Sequence, residues 1–301
     1  MLVLALTGSL EWFAKITPRV AVRGIQLGLA LTLILTATRF VQTTGELNIL
    51  GINIPYLAVA AICFVIILAL FDNRKIPSLL VIVPIGLGLA TVGIPFIKLV
   101  PPQPSLPTPS PSITYGGIIT GLVTLTVPQI PLTIGNSVIA TESLSRFLFP
   151  TNKAVTVKKL GLSLGMMNLF SSLAGGIPMC HGAGGLAAHY RFGARTAAAT
   201  IFMGILLVSF GLFYGRTITT ILGQFPLPIL GVILFFGALQ LALTIRDVTT
   251  RKEIAIVILI AVLCAFAPYG FVIGWPTGIV LTRLLNKKSN APNQTVGISL
   301  K

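Results

Sequence analysis

The chain has 301 residues, of which 54% are hydrophobic and 9% charged, and its mean hydropathy is +0.97. A soluble domain carries about 25% charged residues, so the polar surface here cannot cover a water-exposed globule, which excludes a soluble enzyme or binding module. What remains is a polytopic membrane protein, with room for about ten or eleven crossings at roughly 20 apolar residues each.

The apolar segments, in chain order, run about 2–15, 20–41, 55–71, 77–97, 116–147, 157–174, 180–192, 196–214, 226–244, 253–267 and 271–286. Segment 180–192 is too short and too glycine-rich to span a bilayer. The expected fold is therefore all-α, with about ten transmembrane helices plus one half-helix. Pro101 to Pro111, PPQPSLPTPSP, reads as an extended extramembrane linker.

The net charge of +15 comes from 21 Lys and Arg against six acids. On a soluble protein this balance would point to nucleic acid. Here the basic residues fall between apolar runs, as the positive-inside bias produces, so no nucleic-acid partner is expected. Lys15, Arg19 and Arg23 follow the first segment, and Arg74 and Lys75 the third. Arg146, Lys153, Lys158 and Lys159 follow the fifth, then Arg191 and Arg195, then Arg246, Arg251 and Lys252. Arg283, Lys287 and Lys288 come at the end of the last segment. The alternate loops hold Arg39, Lys98 and Arg216. One topology satisfies this pattern, with the rich loops and the C-terminus cytoplasmic and Met1 on the opposite side. The first residues have neither a basic n-region nor a small-residue cleavage site, so they are not a signal peptide. The charge pattern thus expects an odd number of crossings upstream of Met1, or a misassigned start.

Cys63, Cys180 and Cys264 have no metal-ligand or disulfide spacing and read as buried small hydrophobes, with Cys180 set apart by its neighbours. The densest polar cluster within apolar sequence is VPQIPLTIGNSVIATES, residues 127–143. Pro128 and Pro131 each remove a backbone donor and would break a long helix, which at membrane depth is tolerated beside a cavity or under protein cover. Gln129, Thr133, Asn136 and Ser137 sit near i, i+4, i+7 and i+8. They form either interhelical hydrogen-bond glue or a substrate-facing wall, and the two prolines favour the wall. Glu142 is either a proton-coupling group or a helix-end residue paired with Arg146 at i+4.

The second cluster is SSLAGGIPMCHGAGGLAAHYRFGAR, residues 171–195. Gly175, Gly176 and Pro178 interrupt a helix, and Gly182, Gly184 and Gly185 expose backbone amides before LAAHY can start a short one. A half-helix N-terminus offers free N–H groups and partial positive charge to an anion; the competing reading is close packing by small residues. His181 is a ligand-facing donor or a packed polar residue. His189, Arg191 and Arg195 fit a solvated or headgroup-level end. There is no Ser-His-Asp, paired-carboxylate or zinc spacing, and GxxxxGK[ST] is absent. No enzyme activity, cofactor or metal is expected.

The stretches VPQIPLTIGNSVIA (127–140) and GGIPMCHGAGGLAAHYRFGAR (175–195) resemble the paired signatures of the molybdate transporter family, a branch related to the sulphate permeases. PRVAVRGIQLGLAL (18–31) and CAFAPYGFVIGWPTGIVLTRLL (264–285) look like the family's preceding segment and closing helix pair. The resemblance implies two inverted seven-helix repeats, with substrate between two half-helices. Residues 116–147 and 180–192 then look like helices eight and ten, and the chain begins near helix four, with helices one to three absent. Residues 1–100 are the remainder of the first repeat, 101–113 the Pro-rich loop, 114–290 the second repeat and 291–301 a polar tail.

These readings combine into a multi-pass secondary transporter for molybdate working by alternating access, placed in the inner membrane if the cell is bacterial. Its partners are the oxyanion and the lipid bilayer, and a homo-oligomer is left open. Gly182, Gly184 and Gly185 would offer amides, and Gln129, Thr133, Asn136, Ser137 and His181 side-chain hydrogen bonds. The alternatives are transport of sulphate or another tetrahedral oxyanion, and a non-transporting remnant or partner subunit.

Overall fold

Segment 2–15, expected as one crossing, is two short helices, α1 (Leu2–Leu6) and α2 (Ser9–Ile16). Gly8 lies between them at φ +76°, a left-handed conformation that glycine adopts without steric cost and that ends a helix. This is a computed structural model, and it describes residues 1–43, 45–49, 51–70, 78–92, 114–151, 154–191 and 194–289. The Pro-rich linker 101–113, Arg74, Lys75, Lys98, Lys153 and the tail 291–301 lie outside the described residues.

After Pro18, α3 runs unbroken over Arg19–Val41. A hairpin that the apolar pattern did not anticipate follows, β1 (Glu46–Ile49) against β2 (Ile52–Pro55), antiparallel with Glu46 opposite Pro55. Its turn uses Gly51 at φ +87°, whose N–H donates to Asn48 Oδ1 at 3.1 Å. The remaining helices are α4 (Tyr56–Ala69), α5 (Ser78–Val92), α6 (Tyr115–Leu148), α7 (Val157–Leu173), α8 (Ala183–Arg191), α9 (Ala198–Gly223), α10 (Leu227–Ala242), α11 (Arg251–Phe266) and α12 (Gly270–Ser289). The last turn of α10 tightens to 3-10 geometry over Leu243–Asp247.

Among the described residues, four helical stretches are long and apolar enough to cross a membrane: Arg19–Val41, Tyr115–Leu148, Ala198–Gly215 and Leu227–Asp247. Tyr56–Ala69, Ser78–Ala90 and Gly270–Leu285 are shorter apolar helices.

The chain forms two compact units that interleave along the sequence. One comprises Met1–Thr32, Pro107–Gly193 and Gln240–Lys301, and it contains both signature stretches. Its helices approach through glycine. A Cβ on Gly24 would fall 2.6 Å from the Ile260 Cβ, and one on Gly278 would fall 2.8 Å from the Ala21 Cβ. In lipid no hydrophobic gain separates one helix from another, so close van der Waals packing of this kind must hold them. Buried Ile25, Ile256, Ile260 and Cys264 fill the contact. Ala5, Leu10, Ile134, Val138, Leu144 and Ala183 form a second cluster.

The other unit comprises Leu33–Leu106 and Ala194–Leu239. Its core joins Val59, Cys63 and Ile67 of α4 to Ile82 of α5 and to Ile229, Val232 and Phe236 of α10. Cys63 and Cys264 are buried, as expected, whereas Cys180 is exposed because it lies in the loop before α8.

Candidate functional site

Pro128 and Pro131 do not break α6. The helix runs 34 residues through both prolines, with two wide segments of i→i+5 hydrogen bonding, Leu122–Thr126 and Thr133–Ile139. A missing N–H leaves a carbonyl unmatched, and an i→i+5 turn re-pairs the ladder without ending the helix. The wider turns also alter the expected polar face. Thr133 and Ser137 are buried and Asn136 is half-buried, but Gln129 is exposed. The wide segment Thr133–Ile139 shifts Asn136 and Ser137 relative to Thr133, whereas Gln129 lies in the regular turns Val127–Leu132.

The second stretch is a loop followed by α8. Three side chains of α7 hold the loop. Asn168 pairs with Met179 in both directions, accepting from its N–H at 2.6 Å and donating to its carbonyl at 2.9 Å. Ser171 donates to the Ile177 carbonyl at 2.9 Å. Ser163 Oγ lies 2.6 Å from the His181 Nε2, which fixes the ring. His181 is half-buried, and among the described residues its Nδ1 takes no protein partner.

Ala183 starts α8, and Gly185 N–H already donates to the Gly182 carbonyl at 3.1 Å. The turn's own bonding therefore uses the Gly185 amide and leaves Gly184 as the first-turn glycine whose donor the helix does not consume. Cβ atoms on Gly182, Gly184 or Gly185 would meet nothing within 4 Å among the described residues, and Gly184 and Gly185 are exposed. Helix packing within the unit does not account for these three glycines.

The two stretches meet. Thr141 Oγ1, on α6, donates to the His181 carbonyl at 2.8 Å. Ala183 packs in one cluster with Val138, Ile139 and Ala140, and Phe149 meets Tyr190 edge-on at 5.4 Å. Glu142 pairs with Arg146 at i+4, the second of the two readings of that residue.

A group that the sequence pattern did not assign to the site lies behind Asn136. Gln26 of α3 donates from Nε2 to Asn136 Oδ1 at 3.3 Å and accepts at Oε1 from Arg23 Nη1 at 2.7 Å. Arg23 in turn grips Asp247 through Nε and Nη2, at 3.0 Å and 2.6 Å. The Arg23 and Asp247 side chains are 3% and 4% exposed. Arg19 also pairs with the Asp247 carboxylate, at 3.3 Å. Arg19 and Arg23, expected among the loop charges, thus belong to the first turns of α3 and are bound to an acid. The signal that could have found them is the polar i, i+3 pair Arg23 and Gln26 inside an apolar run. The polar positions Ser163, Asn168 and Ser171 of α7 are a similar signal.

Comparison with known proteins bears on the same stretches. The model of a family described as "Molybdate transporter of MFS superfamily" matches residues 121–241, which include both. Molybdate transporter 2 of Arabidopsis thaliana is 31% identical over 330 aligned residues, covering 96% of this chain and 70% of that protein. The chain belongs to the molybdate transporter family. Molybdate transporter 1 of Arabidopsis thaliana is 29% identical over 313 aligned residues, covering 91% of this chain and 68% of that protein. Molybdate transporter 1 of Chlamydomonas reinhardtii is 36% identical over 198 aligned residues, covering 62% and 37% respectively. A family of this kind, with several helices apolar enough to span, makes the chain an integral membrane protein and not an enzyme.

Proposed function

We propose that this chain carries molybdate across a membrane as a secondary transporter, by alternating access. The observation that carries the reading is the junction of the two signature stretches, where Thr141 of α6 bonds the His181 carbonyl beside the glycine-rich start of α8. A tetrahedral dianion needs several donors from different directions, and this junction supplies them. Thr133, Asn136 and Ser137 offer side-chain groups from α6, and His181 offers a ring nitrogen. The amides at Gly182 and Gly184 add the partial positive charge of a helix N-terminus. Gln129 and Gly185 are the weaker members of the expected set, since one is exposed and the other bonds within its own turn.

The same reading extends to architecture. About ten crossings, a half-helix at α8, two inverted repeats and kinship with the sulphate permeases form one consistent proposal, supported by the motif order and the charge alternation. The exposed apolar surfaces of α4, α5 and α9 fit contact with lipid.

Uptake of labelled molybdate by cells expressing the chain tests the function. Asn136→Ala and Gly184→Leu should each lower uptake at least tenfold at equal protein in the membrane. Unchanged uptake for both would remove the site. An equal concentration of sulphate should compete weakly; strong competition would make the chain a general oxyanion carrier.

A further inference from the structure

We propose that Arg23, Asp247 and Gln26 form a positioning relay that fixes Asn136 with its carbonyl inward, so that its NH2 group is the one presented to the substrate oxyanion. The proposal rests on the reading of Asn136 as a substrate-facing residue.

The direction of the relay follows from what each group can do. A guanidinium has only donors. Arg23 is held by the Asp247 carboxylate through Nε and Nη2, which leaves Nη1 aimed at Gln26 at 2.7 Å. The Gln26 atom facing Arg23 must therefore be its oxygen. Thr244 Oγ1 also lies near that oxygen, at 3.2 Å, but its single proton has a closer acceptor in the Leu241 carbonyl, at 2.7 Å. The arginine alone thus sets the Gln26 carboxamide. With its oxygen committed, Gln26 turns Nε2 to Asn136, and the Asn136 atom facing it must be Oδ1, at 3.3 Å.

The consequence is chemical. Asn136 Nδ2 has no protein acceptor among the described residues, while no buried polar side-chain atom there lacks a partner. Nδ2 is therefore accessible and is a donor only, which suits an anion and disfavours a cation or a hydrogen-bond donor. A free asparagine could present either end. Here a flip would set two NH2 groups against each other in a site where Gln26 is 1% exposed and water cannot relieve the clash. Two guanidinium groups against one carboxylate also leave a formal positive charge at the base of the relay, which polarises each hydrogen bond toward the same donor end.

The test is a set of molybdate uptake measurements that separate KM from the maximal rate at matched membrane levels. Gln26→Glu offers Asn136 only acceptors, so Asn136 should flip and turn its oxygen to the substrate. KM should rise at least tenfold with the maximal rate within twofold. Gln26→Met removes the hold without reversing it, and KM should rise two- to threefold. If Gln26 acts through Asn136, neither change should raise KM further when combined with Asn136→Ala. Additive effects in either double variant would overturn the relay, as would a wild-type KM in Gln26→Glu while Asn136→Ala is impaired. Should Gln26→Glu fail to reach the membrane, the cycle of Gln26→Met with Asn136→Ala decides alone. A wild-type KM in Asn136→Ala would instead mean that Asn136 does not meet the substrate, a failure of the site itself.

Discussion

Thr141 joins the two signature stretches with a single proton. Its hydroxyl donates to the His181 carbonyl at 2.8 Å, with the Asn136 carbonyl more distant at 3.4 Å, and the residue is buried. Thr141→Val keeps the shape and removes the donor, leaving the half-buried His181 carbonyl without it at a cost of about 1 kcal/mol. The loop before α8 should loosen, so uptake should fall several-fold while the protein still reaches the membrane, and Thr141→Ser should restore most of it. Uptake by the three proteins at matched expression checks this. His181 sits at the same junction but acts differently. Its ring is fixed by Ser163, so Ser163→Ala should impair uptake through His181 and have no further effect in a His181→Ala background. Additive losses in the double variant would separate the two residues. Neither pairing with His181 was legible in the sequence, because Ser163 lies 18 positions away on α7 and Thr141 lies 40 away on α6.

At the scale of elements, the prolines of α6 were read correctly as a disturbance and wrongly as a break. The composition of 127–143 locates polar groups in apolar surroundings, but it cannot distinguish a broken helix from a widened one, since either can accommodate the carbonyl left without its donor. Helical spacing groups Gln129 with Thr133, Asn136 and Ser137, but Gln129 is exposed while Thr133, one regular turn on, is buried, a difference set by what covers each position and not by spacing. The glycines show the same limit. The start of α8 was legible from Gly182 to Gly185, and the structure favours open space over packing there. In α3 and α12, by contrast, Gly24 and Gly278 are packing glycines, a distinction set by neighbours more than 200 residues away in the first case and by Ala21 in the second. Two predictions follow from these elements. Pro131→Ala returns a backbone donor to a buried helix position, which should allow an α-turn, rotate Asn136 and Ser137, and raise the KM for molybdate several-fold. Thermal unfolding in detergent should be unchanged or shifted upward, because proline costs about 3 kcal/mol relative to alanine in a helix interior. A lowered KM, or a destabilised protein, would count against the wide turn as a functional device. Gly24→Val, with its first added carbon 2.6 Å from the Ile260 Cβ, should cost about 1–3 kcal/mol through overpacking and lower the melting temperature.

At the scale of the whole molecule, charge does two kinds of work that the net value of +15 cannot separate. Arg23, and in part Arg19, are buried and paired with Asp247, whose carboxylate lies 224 residues from Arg23 in sequence. That separation is why the charge pattern counted them with the loops. Asp247→Ala would leave two guanidinium groups uncompensated and should destabilise the protein by about 3–5 kcal/mol, seen as a large fall in the detergent melting temperature; Asp247→Glu should recover part of it. The other basic residues still alternate along the chain. Lys15, then Arg74 and Lys75, then Arg146 to Lys159, then Arg191 and Arg195, then Arg246 to Lys252 and finally Arg283 to Lys288 fall in the loops proposed for one side, and Arg39, Lys98 beside the Pro-rich stretch, and Arg216 in those proposed for the other. Removing Arg19 and Arg23 from the tally leaves that alternation in the sequence, and with it the proposal that the rich loops are cytoplasmic. It is tested by single cysteines in a background where the exposed native thiol is replaced by Cys180→Ser. A membrane-impermeant maleimide applied to intact cells should label Ser105→Cys and spare Lys287→Cys until the membrane is opened. Labelling of both from one side would mean an error in the parity of crossings between residues 105 and 287, and labelling in the reverse order would invert the molecule.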